Sequence, residues 1–345
     1  MIILKHPLSC QLFLQYFVLV FNFQCNPMPS KRIYCIGEVL IDFVAERQGA
    51  DLSKATQFSK KAGGAPANVA CAIAKFGGKS SFIGCVGDDP FGTFLLNTLD
   101  TYDVDLSLVQ RSDVFTTLAF VSLAENGERD FVFSRGADRE LTYDPSVKTV
   151  FKNNMVHLGA ATALLGGPLE KAYGHYLFDA LTENAFISFD PNFRADLWKN
   201  SASVFVKKCM PYIEKSHLCK FSLEEAQLLS KKSNLKEACA VLHDIGTPVI
   251  TITLGSEGTY VSTRDAHYTV PSISVTPVDT TGAGDAFIGS LLQQISTLTR
   301  SEQVIEDPSL LVHMVQKANK AGALTTTGYG AIESLPDRNI LDNPQ

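Results

Sequence analysis

Asp279-Thr280-Thr281-Gly282-Ala283-Gly284-Asp285 runs directly into the apolar stretch from Ala286 to Ile295. Phe287, Leu291, Leu292 and Ile295 recur near a 3.6-residue period, so a glycine-rich turn hands over to a helix with Asp285 in its first turn. Backbone N–H groups at a helix start lack partners and the helix dipole is positive there, which favours an anion. Glycine lets the backbone come close to such an anion. A carboxylate beside a phosphate would only repel it, unless that carboxylate takes the proton of an incoming hydroxyl. An ordinary capped helix start is the other reading, since Asp and Gly are common there as well.

Working outward, segments 155–158, 186–189, 217–221 and 249–253 read as buried strands with helical stretches between them. That alternation predicts an α/β fold with a mostly parallel sheet covered on both faces. Nearer the start, 33–36, 39–44 and 81–85 read as strands and 68–76 as a small-residue helix. Segments 116–123 and 129–133 flank Glu125-Asn126-Gly127-Glu128, and Asn-Gly between two strands is a strong hairpin signal. A hairpin this early in such a chain predicts a small appendage to the main sheet.

A second glycine motif, Gly63-Gly64-Ala65-Pro66-Ala67-Asn68-Val69-Ala70, runs on to Gly77-Gly78 and to the stretch from Gly84 to Gly92. Together with Thr281-Gly282-Ala283-Gly284-Asp285, and in the same order, it resembles the ribokinase (PfkB) family of sugar kinases from about Ile33 to about Pro336. The texture is closest to bacterial fructokinases. The resemblance implies a ribokinase-like three-layer α/β domain over 28–340, with a small β-sheet lid from roughly 42–62 and 112–137. It also implies ATP-dependent phosphorylation of a sugar hydroxyl, D-fructose to fructose 6-phosphate first. Asp285 is then the general base, with Gly282, Ala283 and Gly284 as the anion hole.

The remaining site residues each carry a plainer reading beside the one the resemblance implies. Asp42 interrupts an apolar strand, and a lone buried carboxylate is costly. It is either a structural carboxylate bonded to backbone amides or, by resemblance, the acceptor of two sugar hydroxyls. Gly63, Gly64 and Asn68 fit a turn with an N-cap, or sugar contacts. Arg135 is a surface arginine or a lid residue that reaches the sugar. Arg194, in Asp190-Pro191-Asn192-Phe193-Arg194, follows a strand at the end where α/β sheets bind ligands, and is read as holding a phosphate or a sugar oxygen.

Ser222-Leu223-Glu224-Glu225 is a capping box. It also matches a family motif in which the Glu organises water around magnesium, although Ser222 stands where the family has Asn. Lys220 is placed to reach nucleotide phosphates. Thr253, Gly255 and Gly258 on one side and Asn319 on the other are implied to line the ribose and adenine. A monovalent-cation site for potassium is implied by Asp279 and Thr281 together with Thr325, Gly328, Gly330 and Ser334.

The bulk properties agree with an enzyme of this kind. The chain has 345 residues, 45% hydrophobic and 19% charged, with a net charge of −6. That describes ample core, and an acidic balance that argues against nucleic acid as a partner. Eight cysteines show neither a C-x-x-C pair nor zinc spacing, and read as small core residues of a reducing cytoplasm. Residues 8–25 are uncharged and apolar, which fits a signal or anchor. No small-x-small cleavage site follows, so 1–27 is read as an extension outside the fold, with Met28 as the natural start and no stable membrane association.

Gly78-Lys79-Ser80 lacks the first P-loop glycine, and Gly282-x-Gly284-x-x-Phe287 lacks the last glycine of a dinucleotide fingerprint. Other substrates on the same fold, such as ribose, 2-keto-3-deoxygluconate or a nucleoside, stay open, as does a catalytically silent binding protein. A homodimer through the lid edge is a further expectation.

Overall fold

The computed structural model describes residues 30–46, 49, 51–123, 129–199 and 201–343. The apolar 8–25 run, Cys10, Cys25, Met28 and the Asn126-Gly127 turn lie outside the described residues. The first strands are β1 (Arg32–Ile36), β2 (Leu40–Ala45), β3 (Phe58–Gly63), β4 (Lys79–Ile83), β5 (Cys85–Gly87), β6 (Gln110–Ser112), β7 (Leu118–Leu123) and β8 (Arg129–Ser134). Then come β9 (Met155–Gly159), β10 (Phe186–Asp190), β11 (Leu218–Ser222), β12 (Val249–Thr253), β13 (Thr259–Thr263) and β14 (His267–Val270). The longer helices are α1 (Ala65–Lys75), α2 (Pro90–Asp100), α3 (Gly167–Thr182), α4 (Ala202–Lys215), α5 (Leu223–Ser230), α6 (Leu235–Ile245), α7 (Ala283–Ser296) and α8 (Pro308–Thr325).

Eight of the described strands form one sheet in the order β14-β13-β12-β11-β10-β9-β1-β4. Pairing is parallel from β4 through β12, and β13 and β14 finish one edge antiparallel. Alternate residues of each strand point to opposite faces. Along β1, Ile33 and Cys35 enter the core shared with α1, α2, α7 and α8, while Tyr34 and Ile36 enter the core shared with α3 to α6. Helices therefore cover both faces, as the strand–helix alternation predicts. Each fully buried Leu, Ile or Phe contributes about 1.5–3 kcal/mol, so these two cores hold the sandwich together. Cys35, Cys71, Cys85, Cys209, Cys219 and Cys239 are free and buried in them.

A second sheet of the described residues has the order β3-β2-β7-β8. β2 pairs antiparallel with β3 and parallel with β7, and β8 completes the predicted hairpin with β7. Phe43 stacks on Phe120 at 5.3 Å and meets Phe91 of α2 edge-on at 5.8 Å, which anchors one face of this sheet. Alternation along β2 turns Asp42 to the other face.

Several boundaries differ from the sequence reading. The helix expected from 68 begins at Ala65, because Pro66 needs no N–H partner in a first turn. Asn68 therefore sits inside α1, and the N-cap is Gly64 at φ 104°. The strand expected over 81–85 is two strands, since β5 leaves the main sheet and pairs with β6. That pairing keeps 112 out of the small sheet, which begins at Leu118 on this side. Strands β6, β13 and β14 were not predicted, and β3 was not read as a separate strand although it falls within the 42–62 span implied for the lid.

Candidate active site

Helix α7 begins after Gly282, whose φ of 78° is left-handed and whose Cβ, if present, would lie 2.5 Å from the Cβ of Ala331. Only glycine fits that approach. Asp285 is the third residue of the helix and half-buried. In the same first turn the Gly284 N–H has no acceptor among the described residues, while Ala283 N donates to the Thr280 carbonyl at 3.4 Å, and a helix favours negative charge there.

From the opposite motif, Asn68 of α1 donates its Nδ2 proton to Asp285 Oδ2 at 2.8 Å. The two glycine motifs, far apart in sequence, thus meet at one carboxylate. The Oδ1 atom of Asn68 is buried with no hydrogen-bond partner among the described residues. Gly63 lies against Asp42, for a Cβ there would sit 2.1 Å from Asp42 Oδ2. Asp42 is half-buried and not fully buried, because β2 belongs to the small sheet and not to the main one. That makes its solvation cost smaller than the apolar run suggested.

Beneath the α7 turn lies Lys220 on β11. Its Nζ is 3.0 Å from Asp190 Oδ2 on the adjacent strand β10, and the two side chains are 8% and 0% exposed. The same Nζ would touch a Cβ on Gly284 at 3.0 Å. Burial opposes the charge on Lys220, and the carboxylates of Asp190, Glu225 and Asp285 outweigh that, so its pKa is raised and the ammonium stays charged. A fixed cation therefore sits directly under the turn that opens α7.

Glu225 completes the predicted capping box at the start of α5: Oε2 accepts from Ser222 N at 2.7 Å, and Ser222 Oγ accepts from Glu225 N at 3.1 Å. Its Oε1 accepts from Phe193 N at 2.7 Å, which ties α5 to the loop after β10. Arg194, next in that loop, is half-buried and bonds the Phe193 carbonyl at 3.1 Å. Replacing Ser222 with Ala removes one arm of the cap and is expected to cost about 1 kcal/mol. Denaturant unfolding of the variant beside wild type checks this.

Thr253, Gly255, Gly258, Ala283, Gly284 and Asn319 line one cavity of about 530 Å³. It opens beside the α7 turn. Asn319 forms part of the wall, and its amide is committed to structure. Oδ1 accepts from Thr259 Oγ1 at 2.6 Å, and Nδ2 donates to the carbonyls of Val270 and Pro271 at 2.9 and 3.2 Å.

Asp279 Oδ1 accepts from the N–H and hydroxyl of Thr281 at 2.9 and 2.7 Å, and Oδ2 accepts from Gly330 N at 3.1 Å. Asp279 N also donates to the Thr326 carbonyl at 3.1 Å. The 279–281 turn and the segment carrying Thr325, Gly328, Gly330 and Ser334 are thereby brought together. The Thr325 hydroxyl is turned inward to the Ala321 carbonyl at 2.9 Å. Gly328 packs against Ser334, whose Oγ would be 2.7 Å from a Cβ there.

Arg135 is not a surface arginine. Its Nε–H bonds Asp138 Oδ2 at 3.2 Å and an Nη proton goes to the Thr162 carbonyl at 3.1 Å. Sequence reasoning passed over Asp138, Glu38 and Asp190, all buried. A carboxylate in an apolar neighbourhood was the available signal for Glu38 and Asp190, as it was for Asp42.

A model of the pfkB family carbohydrate kinases matches residues 30–338. Fructokinase-1 of Zea mays is 37% identical over 311 residues, covering 88% of this chain and 94% of the relative. The crystal structure of a fructokinase from Xylella fastidiosa with bound ATP superposes with a TM-score of 0.78 at 30% identity, covering 90% of this chain and 97% of that one. A fructokinase from Vibrio cholerae O395, solved with fructose, ADP and a potassium ion, gives a TM-score of 0.78 at 29% identity over 91% of this chain and 97% of that one.

Proposed function

The chain belongs to the pfkB family of carbohydrate kinases, and we propose that it transfers the γ-phosphoryl group of ATP to D-fructose, giving fructose 6-phosphate. The observation that carries this reading is the Asn68–Asp285 bond, which joins the two glycine motifs at a carboxylate in the first turn of α7. In this reading the sugar lies between Asp42, Gly63, Gly64 and Asn68, with its reacting hydroxyl against Asp285. Asp285 takes the hydroxyl proton as the sugar oxygen bonds to the γ-phosphorus, and the bond from that phosphorus to the β,γ-bridging oxygen breaks to release ADP. The N–H groups of Gly282, Ala283 and Gly284, with the Lys220 ammonium below them, receive the charge of the transferring group.

ATP occupies the cavity between Gly255, Gly258 and Asn319. The small sheet, with Arg135 at its base, closes over the sugar and keeps water from competing as acceptor. Arg194 holds a substrate or phosphate oxygen from the loop after β10.

Glu225 fits magnesium held through water, because both its oxygens already accept a backbone N–H and each keeps a lone pair. Magnesium would supply neutralisation of the ATP phosphates. Potassium fits the loop pair around Asp279, Thr281, Thr325, Gly328, Gly330 and Ser334, where the turn and the chain end are cross-linked. Use of ATP argues for the cytoplasm. No helix among the described residues is long and apolar enough to cross a membrane. β3 and β8, the edges of the small sheet among the described residues, offer a pairing surface for a second copy, so a homodimer belongs to the proposal.

The test is ADP release with ATP and magnesium across fructose, ribose, 2-keto-3-deoxygluconate, glucose and adenosine. Turnover with fructose, sensitive to potassium, supports the reading. Preference for another acceptor keeps the chemistry and changes the substrate, and silence with every acceptor removes the reading.

A further inference from the structure

Helix α1 carries Asn68 to Asp285, yet its own N-terminus has no local cap. The N-cap is Gly64, with no side chain, and Pro66 offers no N–H. The orphan N–H of Ala65 is met from elsewhere, by Glu38 Oε1 at 3.2 Å across the β1–β2 connection. Glu38 is 1% exposed. Its other oxygen, Oε2, lies 3.4 Å from Thr162 Oγ1 and 3.5 Å from Thr162 N. Thr162 Oγ1 is in turn 2.8 Å from Asp138 Oδ2, the atom that Arg135 Nε–H meets, while Asp138 Oδ1 accepts from the Thr117 hydroxyl. A continuous buried chain therefore links the sugar-side helix to the arginine at the base of the small sheet.

The proton count along that chain decides its chemistry. Thr162 has a single hydroxyl proton, and the short contact directs it to Asp138. Asp138 then accepts from Thr117, Thr162 and Arg135, so the carboxylate form fits there. Between Thr162 Oγ1 and Glu38 Oε2 two bare acceptors would face each other unless Glu38 supplies a proton. Arg135 is the single cation bonded into the chain among the described residues, and it is spent on Asp138.

We propose that Glu38 is a positioning residue, a proton-bearing carboxyl that holds the start of α1, and with it Asn68, in register with Arg135. The proposal rests on the kinase reading above, because it concerns the sugar side of the same cleft. Burial, with the Asp138 carboxylate as the nearest repelling charge, pushes the Glu38 carboxyl up to about 7, against the opposing help of the Ala65 and Thr162 N–H groups. The other titratable or charged groups facing it are Tyr173 of α3, which feels the Glu38 charge, and Arg135 through Asp138. Losing the proton breaks the link at Thr162 and sets two carboxylates against each other in a dry site. The start of α1 then loosens.

Glu38→Gln and Glu38→Ala in the full chain test this, with D-fructose as the probe and KM and kcat followed from pH 6 to 9. Wild-type KM should rise on the order of ten- to thirtyfold between pH 6.5 and 8.5 as the competent fraction falls, with a smaller change in kcat. Glutamine keeps the Ala65 bond and donates its amide proton to Thr162 Oγ1, giving up only the 3.5 Å contact from Thr162 N, so its KM should lose this pH dependence. Alanine should raise KM at every pH. An unaltered pH dependence in Glu38→Gln, or a wild-type KM in Glu38→Ala, overturns the proposal.

Melting curves without sugar give a readout independent of the substrate. The folded-state value of Glu38 exceeds its unfolded one, so its contribution is full at low pH and is lost as pH rises toward about 7. Glu38→Gln should therefore gain on wild type across that window and level off above it. A difference that does not vary with pH also overturns the proposal. If no sugar is phosphorylated the kinase reading fails, and these melting curves still decide the protonation of Glu38.

Discussion

Replacing Asp285 with Asn is expected to lower turnover about 10²- to 10⁴-fold, the usual range for a positioned general base. The asparagine keeps an oxygen for the Asn68 Nδ2 proton, so the link across the cleft survives in geometry. What disappears is the ability to receive the hydroxyl proton as the new bond forms. Sugar affinity, which depends on Asp42, Gly64 and Asn68 in this reading, should change only a few-fold. Steady-state kcat and KM measured side by side separate the two effects. A variant that retained most of its turnover would show that proton removal occurs elsewhere.

The second large effect concerns the cation beneath the turn. Lys220→Met leaves the Asp190 carboxylate fully buried with its partner gone, and breaking such a pair costs about 3–5 kcal/mol. At this chain length that lowers the melting temperature by about 4–7 °C. Burial, with the nearby Glu225 and Asp285 carboxylates, already holds the Asp190 pKa above its unfolded value, and without Lys220 nothing cationic opposes them. The deficit should therefore be smallest at acid pH and grow as pH rises. Adding Asp190→Asn removes the stranded charge and should recover most of the melting temperature. It should not recover turnover, because no ammonium then lies under Gly284. Recovery of both would make the pair purely structural.

Much of this was legible in the sequence because the chemistry and the local periodicity coincide. Asp285 was readable because turn glycines, a helical period and an acidic residue fall within a few positions. Strand β12 was read at its true bounds, since a short run of β-branched residues between a Pro and a Gly suits a buried strand far better than a helix. Strand β3 escaped because Ser59, Lys60 and Lys61 are polar, and only its pairing with β2 makes it a strand. The antiparallel strands β13 and β14 are short, and three of the four residues of β14 are exposed, so no apolar run marks the pair. Long-range pairings were the least accessible. Lys220 and Asp190 stand on adjacent parallel strands thirty residues apart, and nothing local announces that they meet. Glu38 capping α1 is of the same kind, a helix end satisfied by a residue from another element.

The crossing of α1 and α7 bears on how such a protein changes its diet. A Cβ on Gly289 of α7 would fall 2.6 Å from the Cβ of Ala72 in α1, so the two helices touch backbone to methyl, with no slack to spread or slide. Asn68 and Asp285 ride on those helices, and their separation is set by this crossing. Selection for a larger or differently shaped acceptor has little to work with there, because widening the gap would displace the proposed base, Asp285, along with Asn68. Variation that retunes acceptor choice without losing the reaction is accordingly expected in the small sheet around Asp42 and at Arg135 just past its strand β8, which lie outside that crossing. A library restricted to those strands should yield new acceptors at undiminished stability more often than one spread over α1 and α7.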